Sequence, residues 1–188
     1  MKSVCVYLGA NMGNNNRLYE STVTLGQQIA VNGYRLVYGG SSMGLMGLLA
    51  ESVMSHGGKV TGVIPTHLID KEIPPGNLDN LIVTETMEER KHILQQQSDA
   101  FVVMPGGLGT LEEVFDTWNA IKLGLIHKPI GFLNIDGYYN GLFSFIENCS
   151  DHGFIAPHQA KIPVVDANPQ TLLESLLKHY ESVAAEVV

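Results

Sequence analysis

The chain has 188 residues, 45% of them hydrophobic, which is enough for one domain with a substantial core. Its formal net charge of -8, with no block rich in Lys or Arg, argues against non-specific binding to nucleic acid. The two cysteines, Cys5 and Cys149, are too few for a disulfide framework or a paired-cysteine zinc motif, so we expect a reducing, cytoplasmic location. The seven histidines lack metal-binding spacing, and neither an export signal nor an apolar run of about 18 residues is present, so we expect no metal and no membrane association.

Short apolar segments with strand character alternate with helical patterns along the chain. In chain order we predict a strand at 3–8, a helix at 17–32, a strand at 34–38, a helix at 45–56, a strand at 60–64, an irregular connection at 66–80, a strand at 81–84, a helix at 87–97, a strand at 99–104, a helix at 110–125, a strand at 130–133, a helix at 138–149, a strand at 163–165 and a helix at 169–180. This alternation is typical of a doubly wound parallel sheet, a Rossmann-like α/β domain of three layers. We assign residues 1–181 to this single domain and expect a flexible tail at 182–188.

Glycine-rich turns follow the first, second and fifth predicted strands, at 9–13, 39–44 and 106–109. In doubly wound sheets ligands bind at the carboxyl ends of the strands, so these turns are the expected binding site. The first turn lacks the full dinucleotide fingerprint, and none of the turns ends in Gly-Lys-Ser/Thr. NAD and ATP are therefore disfavoured as ligands.

The turn after the fifth strand has the features of a phosphate site. Pro105 ends a continuous apolar run, as expected of a parallel strand that is covered on both faces. Gly106, Gly107 and Gly109 let a ligand approach the main chain closely, and Thr110 is the expected cap of the next helix. Exposed N–H groups and the helix dipole together favour an anion, so we expect a phosphate here.

Charged residues lie on both sides of this turn. Glu112 and Glu113 follow it in what we expect to be the first helical turn. A single glutamate at this position commonly stabilises the N-terminus of a helix. Beside a phosphate, a second negative charge is costly unless it serves the substrate, which favours a functional role. Arg90 and Lys91 lie near the start of the preceding helix. They either form a solvated face paired with neighbouring glutamates or bind a phosphate or hydroxyl, for which Arg is well suited.

Three patterns together resemble those of a known family: Met87-x-x-Arg90-Lys91, then Pro105-Gly-Gly-x-Gly-Thr-x-x-Glu113, and the earlier Gly-Gly-x-x-x-Gly-Leu-Met-Gly at 39–47. The chain resembles the LONELY GUY family of cytokinin riboside 5'-monophosphate phosphoribohydrolases, whose members were long labelled "possible lysine decarboxylase". The resemblance extends to the segments at 137–140 and 151–155. It implies hydrolysis of the N-glycosidic bond of a purine nucleoside 5'-monophosphate, without a cofactor, by a homodimer with its active site near the subunit interface.

The resemblance also implies which residues act. Arg90 and Glu113 match the family's catalytic arginine and glutamate, and Glu72 matches a position that contacts the substrate. Phosphate or substrate contacts are further expected from Gly106, Gly107, Gly109, Thr110, Lys91, Gly39, Gly40, Gly44, Met87, Glu112 and Asn119. Two departures affect this assignment: many relatives carry Thr where this chain has Asn119, and a Gly-Ser-Ser-like run where it has Gly-Ala-Asn at 9–11.

Other functions remain open from the sequence. A decarboxylase would need a lysine that forms a Schiff base with pyridoxal phosphate, and no lysine lies in a recognisable context for one. A nucleotide-binding or molybdenum-cofactor-binding protein of the same fold would need the glycine-rich anion site but not the Arg90 and Glu113 pair. If the chain is a hydrolase, its substrate is either AMP or a nucleotide of isopentenyl adenine.

Overall fold

The computed structural model describes residues 1–186, with side chains described through Val183. It forms one sheet of seven strands: β1 (Ser3–Tyr7), β2 (Arg35–Tyr38), β3 (Lys59–Pro65), β4 (Asn80–Thr84), β5 (Ala100–Val103), β6 (Ile130–Leu133) and β7 (Val164–Asp166). All neighbouring strands are parallel, in the order β4-β3-β2-β1-β5-β6-β7. The order reverses direction at β1, as in a doubly wound Rossmann-like sheet, which confirms the predicted fold class.

Helices cover both faces of the sheet: α1 (Asn16–Val31), α2 (Gly44–Ser55), α3 (Ile69–Glu72), α4 (Met87–Gln96), α5 (Leu108–Lys122), α6 (Asn140–Asp151), α7 (Pro157–Ala160) and α8 (Pro169–Glu186). Alternate side chains of β1 show the two layers. Val4 and Val6 pack in a core with α1, α2 and α8, whereas Cys5 and Tyr7 pack in a second core with α4, α5 and α6. Both faces are therefore buried, which explains the continuous apolar strands.

The secondary structure differs from the sequence prediction in a few places. The connection at 66–80 is not wholly irregular, because it contains a short 3-10 turn, Thr66–Leu68, followed by α3. The short helix α7 was also not predicted. The last helix continues through residues 182–186, so this part of the expected tail is helical in the structure. Residues 187–188 lie outside the described residues, and the flexibility of the tail stays a prediction.

Candidate active site

The three predicted glycine-rich turns meet at one edge of the sheet. They follow β1, β2 and β5, and β1 lies between the other two strands, so their carboxyl ends are neighbours. A cavity of about 650 Å³ opens there, a volume in the range of small-molecule sites. The loops after β1, β5 and β6 and the side chains of α2, α4 and α5 line it. The cavity lies at the edge of the sheet where the sequence predicts a binding site.

The loop after β5 forms one wall of the cavity, but its helix begins earlier than expected. Gly107, in an extended conformation, is the N-cap of α5, and Leu108 is its first residue. The prediction that Thr110 caps the helix is therefore wrong. A Cβ on Gly106 would collide with the Thr110 side chain, so the absence of a side chain at Gly106 lets the helix start close to the loop. Glu112 and Glu113 consequently lie beyond the first turn of the helix.

Arg90 is held rigidly beneath the cavity. Its side chain is 6% exposed, and its Nε donates to the carbonyl of Val63 at 3.0 Å while Nη2 donates to the carbonyl of Gly39 at 3.2 Å. A Cβ on Gly39 would collide with Nη2 in this position, so the glycine leaves room for the guanidinium. This burial excludes the solvated helix face that the sequence left open for Arg90. It leaves Nη1 directed at Glu113.

Glu113 is the buried acid of the cavity. Its Oε1 lies 3.3 Å from Nη1 of Arg90, and its side chain is also 6% exposed. The contact is ionic only, since Oε1 has no aligned hydrogen-bond donor. Burial raises the pKa of the Glu113 carboxyl from its ordinary 4.5 to about 7, while Arg90 acts in the opposite direction. Near neutral pH this group exists in both protonation states.

Glu72 brings a second carboxylate to the cavity. Its Oε2 is buried without a hydrogen-bond partner, and its negative charge raises the pKa of Glu113 further. The backbone around it is fixed, because its carbonyl accepts from the N–H of Ser42 at 3.2 Å and from the hydroxyl of Ser41 at 3.3 Å. Ile73, which follows, has a φ of 42°, a strained value for a β-branched residue. An unpartnered oxygen held in this way is suited to accept a hydrogen bond from a ligand.

The predicted site residues divide into two groups. Those that line the cavity are Arg90, Glu113, Glu72, Met87, Gly106, Gly107, Gly109 and Thr110. Those that do not line it are Gly39, Gly40, Gly44, Lys91, Glu112 and Asn119. The three glycines of the second group shape the loop after β2, where Gly40 and Gly44 have positive φ and a Cβ on Gly44 would collide with Ala10.

The other three residues of the second group lie on the outer surface of α4 and α5. Lys91 Nζ is 3.1 Å from Glu112 Oε1, and Asn119 is exposed. The departure at Asn119 from the family pattern is therefore outside the cavity of this chain.

The sequence prediction assigned no site residue to the loop after β6. Asp136 and Tyr138 of this loop line the cavity, and Asp136 is bound by Asn15 and Arg17 from the start of α1. The signal was available, because β6 neighbours β5 in a doubly wound sheet and its carboxyl end carries polar and aromatic residues. Residues 137–140 entered the prediction only through the family resemblance, with no contact assigned, because the segment lacks the glycine-rich spacing of a phosphate loop.

Two kinds of feature are absent from the described residues. Within residues 1–186, no group of three or more His, Cys, Asp and Glu side chains is arranged to hold a metal ion. Across the same residues, no helix combines the length and apolar character that crossing a membrane requires.

Comparisons with known proteins identify relatives over most of the chain. The family model described as "Possible lysine decarboxylase" matches residues 46–176. The chain is 41% identical to the probable cytokinin riboside 5'-monophosphate phosphoribohydrolase LOGL3 of Oryza sativa subsp. japonica, over 93% of this chain and 83% of the relative. It is 42% identical to the cytokinin riboside 5'-monophosphate phosphoribohydrolase LOG5 of Arabidopsis thaliana, over 93% and 77% respectively.

A solved structure shares the fold at lower sequence identity. The molybdenum cofactor binding protein from the phototrophic bacterium Rippkaea orientalis superimposes with a TM-score of 0.68 and 24% identity, over 95% of this chain and 97% of that one. The same architecture therefore occurs in a cofactor-binding protein.

Proposed function

Because this chain belongs to the LONELY GUY family of cytokinin riboside 5'-monophosphate phosphoribohydrolases, we propose that it hydrolyses the N-glycosidic bond of purine nucleoside 5'-monophosphates. The products are the free base, adenine or an N6-modified adenine, and ribose 5-phosphate. The observation that carries the proposal is the buried pair of Arg90 and Glu113, which lies in the same cavity as a helix N-terminus suited to a phosphate.

The phosphate end of the substrate is assigned to the loop after β5. Gly106, Gly107, Gly109 and Thr110 line the cavity where α5 begins, and the first N–H groups of a helix have no partner within it. Together with the helix dipole, these groups favour a doubly charged phosphate. Lys91, Glu112 and Asn119 lie outside the cavity, so we assign them no substrate contact within one protomer.

The reacting end is assigned to Glu113 and Arg90. When the purine leaves, positive charge develops on the ribose as an oxocarbenium-like species, and a carboxylate stabilises it. Water then supplies the hydroxyl at the anomeric carbon, and the base departs with a proton. Three roles suit Glu113: electrostatic stabilisation, orientation of the ribose hydroxyls and activation of the water. With a pKa of about 7, a substantial fraction of this carboxyl is ionised at neutral pH.

We assign two roles to Arg90: it lowers the pKa of Glu113, and it contacts the substrate. Two of its nitrogens are occupied by backbone carbonyls, and the third faces Glu113, whose pKa the guanidinium lowers. Because an arginine stays protonated in proteins, it is unsuited to donate a proton to the leaving base. Glu72, with its unpartnered Oε2, and Met87 are assigned to contacts elsewhere on the nucleotide.

A decarboxylase that uses pyridoxal phosphate is disfavoured for this site. Such an enzyme needs a lysine amine that reaches the cofactor, and among the described residues no lysine lines the cavity. The proposed hydrolysis needs no cofactor.

The assembly and location of the protein belong to the same proposal. We propose a cytoplasmic homodimer that binds neither nucleic acid nor membrane, with the active site near the subunit interface. The large apolar side chains exposed along α5 and at its C-cap, Leu108, Phe115 and Leu123, support an interface there. Sedimentation of the purified protein as a monomer would refute the dimer.

The deciding experiment is incubation of the protein with AMP and, separately, with isopentenyladenosine monophosphate. Release of base and ribose 5-phosphate is measured by chromatography, and the ratio of kcat/KM for the two substrates identifies the preferred base. We expect the wild type to release base and Glu113→Gln to bind nucleotide without releasing it. Binding of both nucleotides without release by the wild type would instead favour a nucleotide- or cofactor-binding protein of this fold.

A further inference from the structure

Two adjacent tyrosines of the loop after β6 bind the backbone on either side of Pro105. The hydroxyl of Tyr139 donates to the carbonyl of Met104 at 2.7 Å, and the hydroxyl of Tyr138 donates to the carbonyl of Gly106 at 2.8 Å. These carbonyls lie where β5 ends and the proposed phosphate loop begins. The loop after β6 therefore holds the phosphate loop through two side chains.

The loop that carries these tyrosines is itself well defined. Asp136 and Gly137 both have positive φ, 51° and 72°, and form a tight turn. Asn134 fixes the turn, because its Oδ1 accepts from the N–H of Tyr139 at 2.8 Å. The ring of Tyr138 packs edge-on against that of Tyr139, with centroids 4.9 Å apart. These contacts therefore fix the position of the Tyr138 hydroxyl.

The two tyrosines have different environments. Tyr139 is 2% exposed and packs against Phe132 and Phe143, so it belongs to the core. Tyr138 is 54% exposed and lines the cavity, so it contributes little to the core. Its hydrogen bond to Gly106 is the contact that distinguishes it from an ordinary surface tyrosine.

That hydrogen bond controls the orientation of one peptide group. The carbonyl of Gly106 and the N–H of Gly107 belong to the same planar trans peptide, so they point in opposite directions. Glycines on both sides leave this peptide little conformational preference of its own. In residues 1–186, neither the N–H of Gly106 nor that of Gly107 has a protein acceptor. Holding the carbonyl therefore also holds an unpartnered N–H of the loop.

We propose that Tyr138 is a positioning residue for the phosphate site, whose hydroxyl keeps the peptide between Gly106 and Gly107 in the orientation that binds the 5'-phosphate. The inference rests on the proposed function for the identity of the anion. It predicts an effect on the phosphate end of the ligand and not on the base, because Tyr138 acts through the loop.

The test is Tyr138→Phe, which removes the hydroxyl and keeps the ring. By calorimetry we expect ribose 5-phosphate to bind about three- to tenfold more weakly, the range that one hydrogen bond spans. Adenosine, which lacks the phosphate, should bind as it does to the wild type. KM for AMP should rise by the same factor with kcat within about twofold, because the phosphate is bound equally in the ground and transition states.

Two further variants separate positioning from stability. Tyr19→Phe is the matched control, since Tyr19 is a half-exposed tyrosine of α1 that does not line the cavity, and it should leave both ligands unaffected. Tyr139→Phe removes a buried hydrogen bond and should lower the melting temperature by a few degrees. Tyr138→Phe should not, because water can replace the hydroxyl at an exposed carbonyl.

Unchanged binding of ribose 5-phosphate by Tyr138→Phe would overturn the inference, as would equal weakening of ribose 5-phosphate and adenosine. A different result would overturn the proposed function, namely that the wild type releases no base. If ribose 5-phosphate binds the wild type and Tyr138→Phe weakens it, the positioning role stands even without hydrolysis.

Discussion

Three ion pairs join α4 to α5, and two of them involve residues that are neighbours along both helices. The third joins Lys91 Nζ to Asp116 Oδ1 at 3.9 Å. Arg90 and Glu113 lie 3.3 Å apart with each side chain 6% exposed, whereas Lys91 and Glu112 lie 3.1 Å apart with side chains 15% and 54% exposed. Residues adjacent on a helix point about 100° apart, so one pair faces the cavity and the other faces solvent. The distances are nearly equal, but only the first pair combines burial with access to a ligand.

The difference shows that burial, more than separation, decides what an ion pair does. In the buried pair, desolvation raises the pKa of Glu113 to about 7 despite the adjacent guanidinium. In the outer pair, the hydrogen bond to Glu112 raises the pKa of Lys91, as expected for a cation near an exposed carboxylate. We therefore propose the inner pair, Arg90 and Glu113, as the reacting one, whereas the outer pair, Lys91 and Glu112, adds at most a small contribution to stability.

The largest expected difference between the buried pair and the outer pair is in turnover. Glu113→Gln should lower kcat on AMP by at least about 100-fold, because the charge that stabilises the transition state is lost. Glu112→Gln, the matched change one residue earlier, should stay within about threefold of the wild type. Steady-state assays of base release measure both. Equal losses in the two variants would show that the buried position has no special role.

The next largest difference is in stability. Arg90→Met removes two hydrogen bonds to backbone carbonyls and the partner of a buried carboxylate, so unfolding in urea should become easier by about 3 kcal/mol. Lys91→Met should change the free energy of unfolding by less than about 1 kcal/mol. Comparable values for the two variants would contradict the assignment of the buried pair.

A third difference appears in the dependence of stability on pH. The pKa of Glu113 is raised in the folded state, so the folded protein holds a proton that the unfolded chain releases between about 4.5 and 7. The contribution of this group to stability is therefore fully present below pH 4.5 and is lost as the pH rises through 7. Relative to Glu113→Gln, the wild type should lose on the order of 3 kcal/mol over this range. Urea titrations at several pH values measure it. Glu112→Gln, which removes only one of the smaller causes of the raised pKa, should retain most of the wild-type slope.

The smallest difference concerns salt. The contribution of the outer pair, measured as wild type against Lys91→Met, should fall toward zero between low salt and about 1 M NaCl, because salt screens an ion pair whose carboxylate is exposed. The contribution of Arg90 should change little over the same range. A stronger effect of salt on Arg90→Met than on Lys91→Met would mean that water reaches the inner pair freely.

Much of the fold and part of the site were predictable from local patterns. All seven strands lie within two residues of their expected positions, because each is a short apolar run bounded by turn residues. Asn168 caps α8, a role typical of an Asn before a helix that starts with Pro, and its Oδ1 accepts from the N–H groups of Gln170 and Thr171. The start of α5 was misplaced because it depends on the contact of Gly106 with Thr110, which no propensity describes.

By itself, the sequence determined the order of strands and helices, the glycine-rich turns at one edge of the sheet and membership of the family, because these depend on residue types and spacings along the chain. The family resemblance already selected Arg90 and Glu113. Only the tertiary structure decided that this pair is buried at the cavity while Lys91 and Glu112 lie outside it, and that Tyr138 reaches Gly106. These outcomes depend on how each helix is rotated against the sheet and on contacts between residues far apart in the chain. Packing of the whole core sets both.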